Sequence, residues 1–240
     1  MAVSSIAFSP NTGTEARQLF VLLHGAGASP EALEPLGLAL RMAFPGAVVL
    51  IPQGLEVCDQ GGPGRQWYSE RQPDTAAGDG VAALHAGRIA QAMPEFIEYV
   101  LAAQRRWRLR GADTALAGFA QGATMALEAV QAQPLLAGRV LAFAGRYASL
   151  PAMAPRTTTI HLLHGEQDEV VPLHHAQAAQ QRLAELQGDA TIDVASRIGH
   201  QLHPVLVRQA IVRLKTCVPL RKWAQAVELD VAPPAGATLH

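Results

Sequence analysis

Residues 112–130, ADTALAGFAQGATMALEAV, constrain the fold of this chain more than any other stretch. A short apolar segment of strand composition runs into Gly118-Phe119-Ala120-Gln121-Gly122 and continues, without a linker, into a helix starting near Ala123. A strand must therefore turn into a helix within one tight corner. Two glycines bracket a central residue as G-x-x-x-G, the spacing of a nucleophile elbow, where small flanking residues let a strained turn push the central side chain out over the sheet edge. Covalent chemistry at that point needs Ser, Cys or Asp. The residue present is Ala120, which has no nucleophilic atom, so the chain carries the frame of a covalent catalyst without its reactive group.

A chain of 240 residues with 49% hydrophobic and 16% charged residues can bury a full core, and it fits one large α/β domain better than two small ones. The expected domain covers residues 1–216, and the proline-bearing tail 217–240 is expected to be loosely attached. A formal net charge of -1 supplies no basic field for nucleic acid, so a small neutral ligand fits best. Cys58 and Cys217 lie far apart with no CxxC or Cys/His ligand spacing, which predicts neither a zinc site nor a disulfide framework and points to a reducing cytoplasm. No charged and apolar leader opens the chain, and no apolar run approaches the roughly 18 residues of a membrane helix. The expectation is a soluble cytoplasmic protein.

Residues 3–8 suit a short edge strand, and residues 18–24, QLFVLLH, a strand buried on both faces. After His24, the loop Gly25-Ala26-Gly27-Ala28-Ser29 leads through Ser29-Pro30 into a helix reaching about Ala43. Residues 47–51 form the next buried strand. The long segment 52–80 is rich in Gly and Pro and contains GRQWYS, a composition and length that favour a functional loop. Residues 81–107 have helical spacing, with Pro94 expected to mark a break or the first turn of a second segment. Beyond the elbow come strands at 139–144 and 158–164, a helix at 174–187 ended by Gly188, a strand at 191–195 and a helix at 202–215. Strands alternating with helices predict a mostly parallel sheet with helices on both faces and no cap domain.

Acyl transfer needs a nucleophile, a base, a carboxylate orienting the base, and two donors for the oxyanion. All but the first have candidates in chain order. HGEQDEVVP at 164–172 sets Asp168 just beyond a strand, and Gly199-His200 follows the last strand. Loops at the carboxyl ends of parallel strands converge on one crevice, so Ala120, Asp168 and His200 can meet there. Asp168 also suits a turn, Glu166 and Glu169 compete for its role, and His203 competes with His200. The loop His24-Gly25-Ala26-Gly27 can supply the Ala26 amide to an oxyanion, with Gln121 giving the second, although a Gly-rich turn of this kind also serves helix packing alone. Trp67 and Tyr68 suit either a substrate wall, beside His24 and Gly25, or the cover of a core edge.

With these residues in place, the chain resembles the bacterial phospholipase/carboxylesterase family of α/β-hydrolases, relatives of the acyl-protein thioesterases, and most of all its small cytoplasmic esterases. The likeness covers about residues 19–215. It rests on LLHGAGAS at 22–29, GRQWYS at 64–69, MPEFIEYV at 93–100, GFAQGATMALE at 118–128, GRYASLP at 145–151, TTIHLLHGEQD at 158–168 and IGH at 198–200. The family carries Ser where this chain has Ala120, so the resemblance implies a Ser-Asp-His esterase without its nucleophile, acting on short- to medium-chain esters, with thioesters open to the same route. A deliberate Ser→Ala replacement accounts best for machinery otherwise complete. A natural ester-binding or protein-interaction module is the rival, and water activated directly by His200 a third account. No metal, no cofactor, no nucleic-acid partner and no membrane insertion are expected; the oligomeric state stays open, a homodimer among the options.

Overall fold

The protein is described here from a computed structural model that covers residues 5–11, 13–72 and 79–217. Seven strands form one sheet: β1 (Ser5–Phe8), β2 (Gln18–Leu23), β3 (Ala47–Pro52), β6 (Thr114–Phe119), β7 (Arg139–Phe143), β8 (Thr159–Gly165) and β9 (Ala190–Ala195). Their order is β1-β3-β2-β6-β7-β8-β9, with every pair parallel except the antiparallel edge pair of β1 and β3. The segment expected to be loop between β3 and the next helix contains a small hairpin, β4 (Glu56–Val57) with β5 (Arg65–Gln66). Among the described residues there are five α-helices: α1 (Glu34–Ala43), α2 (Asp79–Trp107), α3 (Gln121–Ala132), α4 (His174–Glu185) and α5 (Pro204–Thr216). Residues 218–240, where most of the expected loose tail falls, lie outside the described residues.

The central strands are apolar throughout because both faces are covered. Leu19, Val21 and Leu23 of β2 point into one core with α2, α3 and α4, while Phe20 and Leu22 point into the other with α1 and α5. The same alternation runs through β6, β7 and β8, for instance Val140 and Ala142 against Leu141 and Phe143. Burying one such side chain stabilises the fold by about 1.5–3 kcal/mol, which explains why continuous rather than alternating apolar runs mark these strands.

Pro94 does not break α2. The buried face of that helix is Ile89, Met93, Phe96, Val100 and Ala103, whereas Pro94 and Ala90, whose carbonyl loses its helical donor, are both exposed. Water can satisfy that carbonyl, so the helix continues through the proline. At the end of α4 it is Gln187, at φ 56°, and not Gly188 that takes the left-handed position, and Gly188 N then donates to Leu183 O at 2.8 Å. On the way into α1, Pro30–Leu33 forms a 3₁₀ turn, and Ser29 makes no side-chain cap bond.

The strand order reverses between β2 and β6. From β2 the chain moves outward to β3, and from β6 it moves the other way to β7, β8 and β9. Leu23 is paired with Gly118, so the carboxyl ends of the two strands are level and their following loops diverge from one point. Such a switch point opens a crevice outside the strand ends, and it is here that the loops after β2, β6 and β8 gather.

His161, on β8, lies fully buried with Nδ1 2.9 Å from Thr191 Oγ1 and Nε2 without a partner. Burial, reinforced by Arg139 and Arg213, pushes its pKa down from 6.5 to about 4. The unfolded chain therefore binds a proton near pH 6.5 that the native state refuses until about pH 4. The stabilisation is complete above 6.5 and falls away as pH drops through that window, by roughly 3 kcal/mol at about 1.4 kcal/mol per unit. Urea unfolding at pH 7.5 and pH 4.5 should show a loss of at least roughly 2 kcal/mol, and His161→Gln should reduce it, the other buried histidines with lowered pKa accounting for the remainder. An unchanged pH slope in His161→Gln would assign the acid sensitivity to other groups.

Candidate active site

Ala120 caps the N-terminus of α3 at φ 51° and ψ -114°. A non-glycine residue held there costs on the order of 1–3 kcal/mol, so the surroundings must impose it. They do so through hydrogen bonds: Ala120 N donates to Phe143 O at 2.9 Å, and Ala123 N and Thr124 N donate to Ala120 O at 3.0 and 3.1 Å. Packing adds to this. A Cβ on Gly118 would overlap the Gly122 carbonyl, and a Cβ on Gly122 would overlap the carbonyls of Leu23 and His24. Neither glycine has a positive φ, so the motif requires them for close approach between strand and helix and not for backbone freedom.

Asp168 follows β8 and is 5% exposed. Its Oδ1 accepts from Val170 N and Val171 N at 3.0 and 2.8 Å, and its Oδ2 lies 2.8 Å from His200 Nδ1. A carboxylate partner places the proton on Nδ1, which leaves Nε2 of His200 available for proton transfer. The His200 ring also packs on Phe119, with centroids 4.8 Å apart. The competing residues stand elsewhere: Glu166 accepts from Arg197 N at 3.2 Å, Glu169 is exposed, and His203 caps α5, its Nδ1 accepting from Val205 N. Sequence reasoning overlooked His164, four residues before Asp168 at the end of an apolar run. Its Nε2 donates to Val171 O at 2.7 Å and stands 3.4 Å from Asp168 Oδ2. Burial holds the His164 pKa below its ordinary value, so the ring backs the carboxylate as a neutral dipole.

The loop after β2 lies directly against the elbow. A Cβ built on Gly25 would meet Ala120 Cβ at 3.6 Å and Phe119 Cδ1 at 3.3 Å. Gly27, at φ +76°, donates to Arg65 O at 2.9 Å, and Arg65 N donates to Ala28 O at 2.9 Å, which ties the loop to β5. His24 is fully buried; Gly54 N donates to its Nε2 at 3.0 Å, so Nδ1 carries the proton and donates to Gly25 O at 2.8 Å. Burial keeps its pKa below the ordinary value, consistent with a neutral ring. Ala26 and Gln121 both border the cleft. Gln121 opens α3, where the amide has no intrahelical acceptor and the helix dipole is positive, so its N–H suits an oxyanion donor.

The Gln121 side chain has a second task that the motif did not announce. Its Oε1 accepts from Trp67 N at 2.7 Å and its Nε2 donates to Tyr68 O at 3.0 Å. Trp67 is accordingly drawn into the core and is 1% exposed, its Nε1 donating to His24 O at 2.8 Å and its ring edge-on to Phe96. It supports the cleft from beneath, which corrects the expectation of a Trp67 substrate wall. Tyr68 does border the cleft, as do His24 and Gly25. The cavity has a volume of about 520 Å³, with Ala120, His200, Phe119 and Val171 among its lining residues and Glu70 and Arg146 among its charged ones. Among the described residues, no group of three or more His, Cys, Asp and Glu side chains could hold a metal ion.

Gln121→Leu should therefore leave Trp67 N and Tyr68 O buried and unpaired, at about 1–3 kcal/mol for each group. Urea unfolding followed by circular dichroism should show Gln121→Leu destabilised by at least about 2 kcal/mol, with Gln121→Glu, which keeps the acceptor, in between. Wild-type stability of Gln121→Leu would show that the clamp contributes nothing.

Comparison with known proteins identifies the family. The phospholipase/carboxylesterase family model matches residues 6–218. Esterase YpfH of Escherichia coli (strain K12) is 40% identical over 214 residues, 88% of each chain. Among solved structures, esterase PE8 superposes with a TM-score of 0.77 at 26% identity, covering 90% of this chain and 99% of its own. The Bacillus cereus carboxylesterase shares the fold, with a TM-score of 0.70 at 15% identity over 89% of this chain and 94% of its own. The chain belongs to the phospholipase/carboxylesterase family and, with its mostly parallel sheet and the crevice at its switch point, is of the carboxylic ester hydrolase class.

Proposed function

We propose that this protein is the scaffold of a Ser-Asp-His esterase for short- to medium-chain carboxylic esters, with thioesters open to the same route, and that Ala120 leaves it without turnover. The observation that carries the proposal is the hydrogen bond from His200 Nδ1 to the buried Asp168 carboxylate, made in the same cleft into which a strained elbow presents position 120. Serine at that position would be the nucleophile. His200 Nε2 would take its proton and return it to the leaving alkoxide, and Asp168 would orient the ring and stabilise the imidazolium. The Ala26 and Gln121 amides would hold the developing oxyanion, where donors fixed in advance contribute most. The cleft volume of about 520 Å³ suits a small ester.

With Ala120 the same cleft binds an ester and releases it unchanged, since acylation has no nucleophile and the donors favour the tetrahedral charge over the neutral carbonyl. This non-catalytic binding is also what a natural pseudoenzyme would retain, and the missing side-chain oxygen of Ala120 is what favours that second reading.

The chain as it stands should hydrolyse p-nitrophenyl butyrate barely above background, and Ala120→Ser should raise kcat by at least about three orders of magnitude, since loss of a triad nucleophile costs on the order of 10⁶ elsewhere. In the Ala120→Ser background, His200→Ala and Asp168→Asn should each abolish most of the gain, while His203→Ala and Glu166→Gln should not. A folded Ala120→Ser protein that stays inert would refute the esterase proposal. A large effect of His200→Ala with Ala120 still in place would instead indicate water activated directly by His200.

A further inference from the structure

The segment after β7 brings to the catalytic cleft a charge that the proposed acyl transfer does not use. It runs directly against the elbow: a Cβ built on Gly145 would lie 3.3 Å from Ala120 O and would overlap Ala123 Cβ. The residues that follow are pinned by α3. Thr124 Oγ1 donates to Arg146 O at 2.8 Å, Ala148 N donates to Glu128 Oε1 at 2.7 Å, and Tyr147 between them is buried. Of these three residues Arg146 alone is exposed, and it lines the cleft with Ala120 and His200. Among the described residues it makes no ion pair. The fold thus holds the backbone of Arg146 firmly beside position 120 and leaves its charge unanswered.

The carboxylates nearby are otherwise engaged. Glu70 lines the same cavity, but guanidinium groups stand on the segment that carries it: Arg88 Nη1 donates to Ser69 O and Arg71 O at 2.9 and 2.6 Å, and Arg71 Nη2 donates to Asp59 O at 3.0 Å. The Asp59 carboxylate accepts from Ser69 Oγ and from the amides of Glu70 and Arg71. Glu128 is held by Ala148 N, and burial raises its pKa, which favours the neutral acid. On α4, His174 and His175 stack with ring centroids 4.1 Å apart; burial, and then the charges of His174, Arg146 and His164, keep the His175 pKa below its ordinary value. Arg146 therefore has cationic or neutral neighbours on that side.

We propose that Arg146 is the specificity-determining residue of the cleft and that the substrate is an ester carrying a second, ionised carboxyl group, which the guanidinium binds while the ester carbonyl lies at position 120. A guanidinium presents parallel N–H donors that match the two oxygens of a carboxylate, and a backbone fixed in advance leaves less to order on binding. A net charge of -1 for the whole chain does not reveal such a local cation. An ammonium-bearing ester would instead meet Arg146 as a like charge. This assignment of substrate class rests on the esterase reading of the cleft.

Titration calorimetry of the Ala120 protein at pH 7.5, with the monoethyl esters of succinate, glutarate and adipate each set against its neutral amide, reads binding apart from hydrolysis. At least one acid should bind about fivefold or more tightly than its amide, the scale of one partly screened Arg–carboxylate pair. Arg146→Gln, which leaves the carbonyl that accepts from Thr124, should remove this preference, and Arg146→Lys, a point charge without the fork, should keep part of it. In the Ala120→Ser protein, Arg146→Gln should raise KM for the acid ester with a smaller effect on kcat. Equal or absent binding in all three pairs, a preference that survives Arg146→Gln, or tighter binding of ethyl 4-aminobutyrate, which would assign recognition to Glu70, would each overturn the proposal. An Arg146-dependent preference beside an inert Ala120→Ser protein would support carboxylate recognition and overturn the esterase reading alone.

Discussion

The structure depends on one close contact, that of β6 against the first turn of α3. Gly118 and Gly122 allow backbone to lie on backbone there, and the contact leaves Ala120 no relaxed conformation. The strain is local, and the surrounding packing meets its cost: α3 is buried through most of its length, and Met125, Leu127 and Val130 are fully inaccessible. A strained corner of this kind persists because the elements on either side cannot move apart without emptying a core. The same contact fixes where the α3 amides point. It thus sets the position of a side chain at 120 and of the Gln121 donor together.

Around that corner the polar groups of the cleft are arranged before any ligand arrives. His24, Gln121 and Trp67 form a closed set in which each buried donor or acceptor meets a partner: Trp67 Nε1 on His24 O, Gln121 on the Trp67 and Tyr68 backbone, and His24 on Gly54 and Gly25. Such a network stabilises only when complete, because a single unpaired group in low dielectric costs more than a bond returns. The result is a rigid floor beneath a loop that is otherwise made of Gly and Ala. Such a floor fixes the backbone amides above it, so that in the proposed acyl transfer the Ala26 and Gln121 donors would need little reorganisation.

Two buried histidines, His24 and His164, have their pKa values lowered mainly by burial, which favours the neutral ring. His24 fastens the loop after β2 through Nδ1 and accepts from Gly54 N through Nε2, and His164 holds through Nε2 the turn that carries Asp168. Neutrality matters because an imidazolium beside Asp168 would compete with His200 for the same carboxylate.

Much of this was legible in the sequence. Continuous apolar runs at 18–24, 47–51 and 158–164 announced strands buried on both faces, and G-x-x-x-G between a strand and a helix announced the elbow, because these patterns follow from periodicity and from the space a Cβ would occupy. The chain order of Ala120, Asp168 and His200 likewise suggested their meeting, since parallel strands deliver their following loops to one edge. What sequence alone left open was every choice between similar groups. Asp168 and not Glu166 or Glu169 is hydrogen-bonded to His200, because the turn after β8 buries one carboxylate and aims it at one ring. Trp67 could have formed a wall or a floor; the Gln121 side chain, 54 positions away, decided for the floor. Pro94 stayed inside α2 because its side of the helix faces out. Sequence patterns determine which faces are apolar and where a chain must turn. Partnerships between polar groups are settled only when tertiary packing removes water and leaves each of them one neighbour within hydrogen-bond reach.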